Sequence, residues 1–374
     1  MWSSRLFVVP FTLFLAVACS GSSSSEDGGV AADQGQAVGD RGAAKEGGAT
    51  RDRGLTDGRL GDRGNLPPAD AGPEACDPYG VRNPGAEALI GPTPLEPRLV
   101  TLLGAAKSEI LLLLYELSKD NVLDQLEAAK KRGVSVRVLL DPKQDANDTA
   151  KKRLTAAGIT FKDTPSQFTF SHSKVAIVDG ATAIVASANF SYTGLTYQRN
   201  YAAFLKDAAD VADLKAIFEA DWAGTARPDL ACTRLLVSPV NARPRLQSFV
   251  GSAKTRLDLE VMYFTDKDLL AAVKQRAAAK VPVRVILADP AWQDGNLQTA
   301  ADLKAAGILV RYLKKPEVHA KLIVVDSVVF VGSQNLSYTA INSNREVGVL
   351  LTETAAAAAI RSQFDTDWNA STPF

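Results

Sequence analysis

Histidine is almost missing from this chain. Its 374 residues contain two, together with three cysteines, two methionines and four tryptophans. Two histidines and scattered carboxylates do not make a metal-ligand set, so no metal and no other cofactor is expected. Three cysteines exclude a disulfide-dense miniature scaffold. Net charge is missing too, since 42 Lys and Arg balance 42 Asp and Glu. Setting aside one basic residue in 1–19, and six basic and ten acidic residues in 20–75, leaves 35 basic against 32 acidic in 76–374. That near balance gives no footprint for non-specific nucleic-acid binding, although a local basic groove stays open. No apolar run is long enough to span a bilayer as a mature helix.

Residues 1–18 read as an export signal, with Arg5 ahead of an apolar stretch from Leu6 to Ala18. The stretch ends Leu15-Ala16-Val17-Ala18-Cys19-Ser20, which resembles a bacterial lipoprotein cleavage box with Ala16 in place of the usual leucine. Lipidation of Cys19 and a membrane-anchored place in a bacterial cell envelope are therefore expected, with simple secretion as the alternative. Residues 19–75 then carry the anchor and a linker. Positions 20–75 hold 13 of the 27 glycines and no aromatic residue, too little apolar surface to fold. A flexible tether of that length reaches on the order of 40 Å root-mean-square. Cys76 and Cys232 remain, one ahead of each half of the folded region, and are expected to pair in an oxidising compartment if their Cα atoms come within bridging distance. The alternative is two buried thiols.

What the chain does have is a repeat. His172-Ser-Lys174 with Asp179, followed by Ser187-Ala-Asn189, recurs as His319-Ala-Lys321 with Asp326, followed by Ser333-Gln-Asn335. Pro97-Arg98-Leu99 recurs as Pro244-Arg245-Leu246, Val136-Arg137-Val138 as Val283-Arg284-Val285, and Asp221-Trp222 as Asp367-Trp368. Nearly the whole folded region is a tandem duplication, with units at 76–231 and 232–374 and one site built from two halves.

Each unit alternates helical and extended periods. Glu96 to Lys107 suits a helix, Ile110 to Tyr115 a buried strand, and Val134 to Leu140 another strand broken by Asp141-Pro142. Lys174 to Val178 and Thr182 to Ser187 suit a hairpin turning at Asp179-Gly180. The expected fold is α/β, a mixed sheet flanked by helices, occurring twice with pseudo-twofold symmetry. His172 and Lys174 are two apart on an extended segment and share a face, and Ser187 and Asn189 lie at the end of the neighbouring strand. Asp179 and Asp326, at the far strand ends, are expected to be structural. Trp222 and Trp368 are expected to pack, and Tyr192 and Tyr338 to line the cleft or to pack in the core.

Paired histidines suit phosphodiester chemistry. One imidazole attacks phosphorus while the other, protonated, supplies the departing alcohol with a proton and later deprotonates the acceptor. Lys174 and Lys321, with the amides of Asn189 and Asn335 and the hydroxyls of Ser187 and Ser333, would hold the phosphate oxygens. The motif His-x-Lys-x4-Asp with Gly-Ser-x-Asn resembles that of the phospholipase D superfamily. His319, Lys321, Asp326, Gly332, Ser333 and Asn335 match in full, and Ala186 replaces the glycine of the first copy.

The resemblance implies the two-repeat, single-site architecture, a phosphohistidine intermediate and an acidic residue behind each histidine. Glu346 meets that pattern in the second copy, whereas the aligned residue of the first is Asn200. The expectation is that each backs the histidine of its own repeat. His172, behind an amide, would then have the lower pKa and act as nucleophile, with His319 as general acid. The leading expectation for function is hydrolysis of phospholipid headgroup diesters by a monomer at a membrane surface. The alternatives are a nuclease, a phosphatidyltransferase of the cardiolipin synthase kind, and an inactive binding module.

Overall fold

The computed structural model describes residues 77–225, 230 and 232–374. The expected export segment, Cys19, the tether and Cys76 lie outside the described residues. Cys232 is disulfide-bonded. The described residues belong to one compact unit.

The first repeat runs β1 (Glu87–Ile90), α1 (Leu95–Gly104), β2 (Glu109–Leu114), α2 (Asp120–Lys131), β3 (Ser135–Leu140), α3 (Asn147–Ala156), β4 (Thr160–Asp163), β5 (Lys174–Val178), β6 (Thr182–Ala186), α4 (Tyr192–Thr196), β7 (Tyr201–Leu205) and α5 (Ala208–Ala223). The second runs β8 (Leu235–Ser238), α6 (Ala242–Gly251), β9 (Leu257–Val261), α7 (Lys267–Ala278), β10 (Val283–Ala288), α8 (Asn296–Ala305), β11 (Leu309–Leu313), β12 (Lys321–Val325), β13 (Val328–Gly332), α9 (Tyr338–Asn342), β14 (Glu346–Leu351), α10 (Thr354–Ala370) and β15 (Thr372–Pro373). The strands form two mixed sheets, ordered β1-β7-β6-β5-β2-β3-β4 and β15-β11-β10-β9-β12-β13-β14-β8. The two-unit α/β architecture is as the sequence predicts.

Side-chain alternation makes both faces of these sheets apolar. In β5, Val175 and Ile177 face the central core while Ala176 and Val178 face the outer one. The central core joins inner residues of both sheets, such as Leu111 and Val185 with Leu322 and Val331, and also takes in Leu214 and Phe218 of α5 and Ile360 and Phe364 of α10. The helices α1 to α3 cover the outer face of the first sheet and α6 to α8 that of the second. Burying a Leu or Phe of this kind contributes roughly 1.5–3 kcal/mol each, so the core shared by the two repeats stabilises their association directly.

The hairpin between β5 and β6 turns at Asp179 (φ 54°) and Gly180 (φ 60°). Its short strands fix where the motif residues emerge: Lys174 opens β5, Ala186 ends β6, and Asn200 immediately precedes β7. All three lie at one sheet edge.

Candidate active site

Each histidine segment is pinned by backbone to the opposite repeat. The His172 amide donates to the Arg345 carbonyl at 2.8 Å, and the Arg345 amide donates to the Phe170 carbonyl at 2.8 Å. The same ladder recurs with His319 donating to Arg199 at 3.0 Å and Arg199 to Glu317 at 2.8 Å. These are parallel bridges, Ser171 with Arg345 and Arg199 with Val318. The residue after each bridging arginine is therefore carried beside the other repeat's histidine.

This overturns the expected pairing. His172 Nδ1–H donates to Glu346 Oε2 at 2.9 Å, and His319 Nδ1–H donates to Asn200 Oδ1 at 3.0 Å. The carboxylate lies behind His172 and the amide behind His319, so the expected pKa order of the two histidines loses its basis. Within-repeat alignment could show which residue types stand behind the histidines, but the crossing bridges decide which histidine each one serves.

The backing groups are themselves fixed. Asn344 Nδ2 donates to Glu346 Oε1 at 3.0 Å, leaving Oε2 for His172. Asn200 Nδ2 donates to the Gly194 carbonyl at 3.0 Å, so its Oδ1 must face His319 and also accepts from Ser187 Oγ at 2.7 Å. Both rings thus keep Nδ1–H, which makes Nε2 the nitrogen whose lone pair can act as base or nucleophile.

Ser187 and Ser333, expected to bind substrate, are engaged elsewhere. Ser187 Oγ also accepts the Tyr201 amide at 3.0 Å, and Ser333 Oγ both accepts the Val347 amide at 3.1 Å and donates to its carbonyl. Both are fully buried. Their place between neighbouring strands makes them supports for Asn200 and for β14 rather than phosphate contacts.

Lys174 and Lys321 are buried, and each Nζ donates to the carbonyl of its own histidine, at 2.7 and 2.9 Å. Lys321 Nζ also lies 3.3 and 3.4 Å from the two nitrogens of the His319 ring. A cation there disfavours the imidazolium of His319, while Glu346 favours that of His172. Tyr115 adds an edge contact to His172, with ring centroids 4.7 Å apart, and Lys174 sits over the same tyrosine.

Asn189 and Asn335 follow the ends of β6 and β13, and the Oδ1 of each is buried without a hydrogen-bond partner among the described residues. An unpaired buried amide oxygen costs about 1–3 kcal/mol, which a bound ligand or water would recover. Tyr192 and Tyr338 are exposed, at 55% and 69%, and so do not pack in the core.

Asp179 and Asp326 lie at the far ends of their strands, about 16 Å along the chain from the lysines. Asp179 accepts the amides of Lys107, Ser108 and Glu109 and the Ser108 hydroxyl, and Asp326 makes the same set with Lys254, Thr255 and Arg256. Burial alone would raise the pKa of Asp179, but the backbone donors of Glu109, Ser108 and Lys107 outweigh it and hold the carboxyl down at about 2.

Ala186, the departure from the glycine of the motif, is a packing exchange. Gly332 pairs with Gly348 across β13 and β14, and a Cβ on Gly332 would come 2.6 Å from the Gly348 Cα and 2.8 Å from the Phe330 ring. In the first repeat, Ile184 stands where Phe330 does, and Ala186 pairs with Ala202. With no ring to accommodate, alanine fits.

Two buried ion pairs that sequence reasoning missed complete the crossing. Arg345 Nε and Nη2 donate to Asp221 at 2.8 and 2.7 Å, and Arg199 reaches Asp367 at 2.7 and 3.0 Å. The available signal was the aspartate ahead of each repeated Trp222 and Trp368. Among the described residues, no group of three or more His, Cys, Asp or Glu is placed to hold a metal ion, and no helix is long and apolar enough to cross a membrane.

The family model described as cardiolipin synthase, PLD-like domain, matches this chain twice, at residues 99–222 and 246–368. A cardiolipin synthase of Alkalihalophilus pseudofirmus is 24% identical over 66% of this chain and 57% of its own length. A 5′-3′ exonuclease of Xenopus tropicalis is 33% identical over 27% of this chain and 22% of its own. The chain spans about half the length of the cardiolipin synthases it matches. Among solved structures, a phosphatidylserine synthase of Haemophilus influenzae superposes with a TM-score of 0.64 at 14% identity, over 79% of this chain and 88% of that one, and shares the fold.

Proposed function

The chain belongs to the phospholipase D superfamily, and on that footing we propose that it transfers a phosphatidyl group from a phospholipid to an alcohol by way of a phosphohistidine on His172. The observation that carries the reading is the unequal backing of two buried imidazoles, a carboxylate behind His172 and an amide behind His319. As His172 Nε2 bonds to phosphorus, its ring gains positive charge, which Glu346 offsets. The P–O bond to the first alcohol breaks in the same displacement, and that oxygen takes the proton from His319 Nε2. An amide-backed imidazolium gives up a proton more readily than a carboxylate-backed one. In the second half, His319 Nε2 takes the proton of the acceptor hydroxyl, the acceptor oxygen bonds to phosphorus, and His172 departs. Lys174, Lys321, Asn189 and Asn335 hold the non-bridging oxygens. The nucleophile and acid thus keep the roles expected from sequence, but for the reverse electrostatic reason.

Hydrolysis is the same sequence with water as acceptor. The similarity to cardiolipin synthases supports an alcohol acceptor instead, in place of the hydrolysis expected first. The test is a product assay on phosphatidylglycerol vesicles with a DNA arm beside it. Transfer releases glycerol and yields a four-chain lipid with two phosphatidyl groups joined through one glycerol, whereas phosphatidic acid alone would mean a hydrolase and cut DNA without lipid turnover a nuclease. His172→Asn and His319→Asn should each lose activity by at least about 10²-fold. Wild-type rates in both would remove the reading altogether.

A further inference from the structure

The crossing ion pairs are not equivalent. Asp367, the acid that holds Arg199, shares its burial with a second acid, Glu260 of β9. Glu260 is fully buried, and Tyr201 Oη–H donates to its Oε2 at 2.7 Å. Its Oε1 is buried with no donor of its own, and the Asp367 carboxyl lies close enough to supply one when protonated. Two carboxyls that close in a dry core cannot both ionise, so one proton between them gives each oxygen a partner. The groups facing Glu260 are Tyr201 of β7, Asp367 of α10 and Arg199. At its register on β10 and β12 stand Ile286 and Leu322, both apolar. The first repeat has Leu113 at the corresponding strand position and so no such acid.

The cluster connects directly to one side of the site. Asp367 holds the Arg199 guanidinium, the Arg199 carbonyl accepts the His319 amide, and the next residue, Asn200, accepts His319 Nδ1–H. We propose that Glu260 is a positioning residue for His319: as a neutral carboxyl it joins Asp367 to Tyr201 and so fixes Arg199 and the strand that holds Asn200 against the ring. This rests on the reading that His319 serves the reaction. Burial and the adjacent Asp367 charge push the Glu260 carboxyl up to about 8, in keeping with a proton held at neutral pH. Ionisation would set two carboxylates against each other beside Arg199 and slacken that side alone.

The chain's two histidines make the test direct, because an imidazole nitrogen–proton correlation spectrum contains only two ring systems. Glu260→Leu, which carries the first repeat's residue, should move or broaden the His319 signals and leave those of His172 in place. It should also lower kcat by about 10- to 10²-fold with little change in KM. Glu260→Gln, still neutral and still able to donate to Asp367, should keep both the spectrum and kcat. Since a carboxyl raised from its ordinary 4.5 to about 8 contributes stability that is lost as pH climbs through that window, Glu260→Gln should also gain melting temperature over wild type between pH 5 and pH 8.5. Unchanged His319 signals and kcat in Glu260→Leu would overturn the proposal, as would a Glu260→Gln variant as impaired as Glu260→Leu. If no lipid is turned over by any form, the spectra still decide the positioning role, and only the proposed reaction fails.

Discussion

A single amide separates the two halves of the candidate site. Asn200 and Glu346 occupy the same place in their repeats, each against the opposite histidine, and differ in one formal charge. Asn200→Asp would give His319 a carboxylate and stabilise its imidazolium, so the alkaline limb of the kcat profile should move to higher pH while proton delivery to the leaving oxygen slows. Glu346→Gln should instead slow formation of the phosphohistidine, with a loss on the order of 10²-fold or more in burst amplitude rate. A pH–rate series on both variants reads the difference, and identical profiles would dissolve the asymmetry. The residue types were legible in sequence: both histidines, both lysines and the Glu346–Asn200 substitution stand in one alignment. What was not legible was direction, because the neighbour of His172 is set by a bridge to Arg345, 173 residues along the numbering, and no local pattern encodes that contact.

The elements owe their precision to polar groups outside the chemistry. Asp179 ties the hairpin turn to the start of β2 through three backbone amides, and Asp326 does the same at β9. Asp179→Asn should destabilise the fold by about 1 kcal/mol, the low end for a charged acceptor because this one is partly solvated. The sign of the pH effect follows from a carboxyl held below its ordinary 3.8: the wild-type advantage is complete above that value and fades as pH falls through about 2. Denaturation of both forms at pH 7 and pH 2.5 checks it, and an equal gap at both pH values would contradict it. Hairpins, helices and the far placement of Asp179 followed from periodicity. Strand β9 did not: Leu257, Asp258, Leu259, Glu260 and Val261 alternate like a strand with one wet face, yet Asp258 and Glu260 are buried as fully as their apolar neighbours. Alternation reports polarity, and the partners that make burial of those acids tolerable are Arg284 of the same repeat for Asp258 and Tyr201 of the first repeat for Glu260.

Across the whole molecule, stability and site geometry share the same crossing contacts. Removing one partner of a buried pair leaves a charge without compensation, so Arg345→Met or Asp221→Asn should each cost about 3–5 kcal/mol. Replacing both with apolar residues should recover much of that loss without restoring full activity, since Arg345 also places the strand that carries Glu346. Denaturant titrations with parallel kinetics on the two single variants and the double variant form the cycle, and additive losses would show the pair to be uncoupled. The reciprocal bridges, 172 to 345 and 319 to 199, have the symmetry of an isologous contact between identical partners. In a pair of identical chains, every position appears twice, and both histidines would be bound to the same backing group. Joining the copies in one polypeptide releases that constraint, so position 346 can keep its carboxylate while position 200 gives its own up. Specialisation of the two imidazoles is thus something only the fused chain can encode.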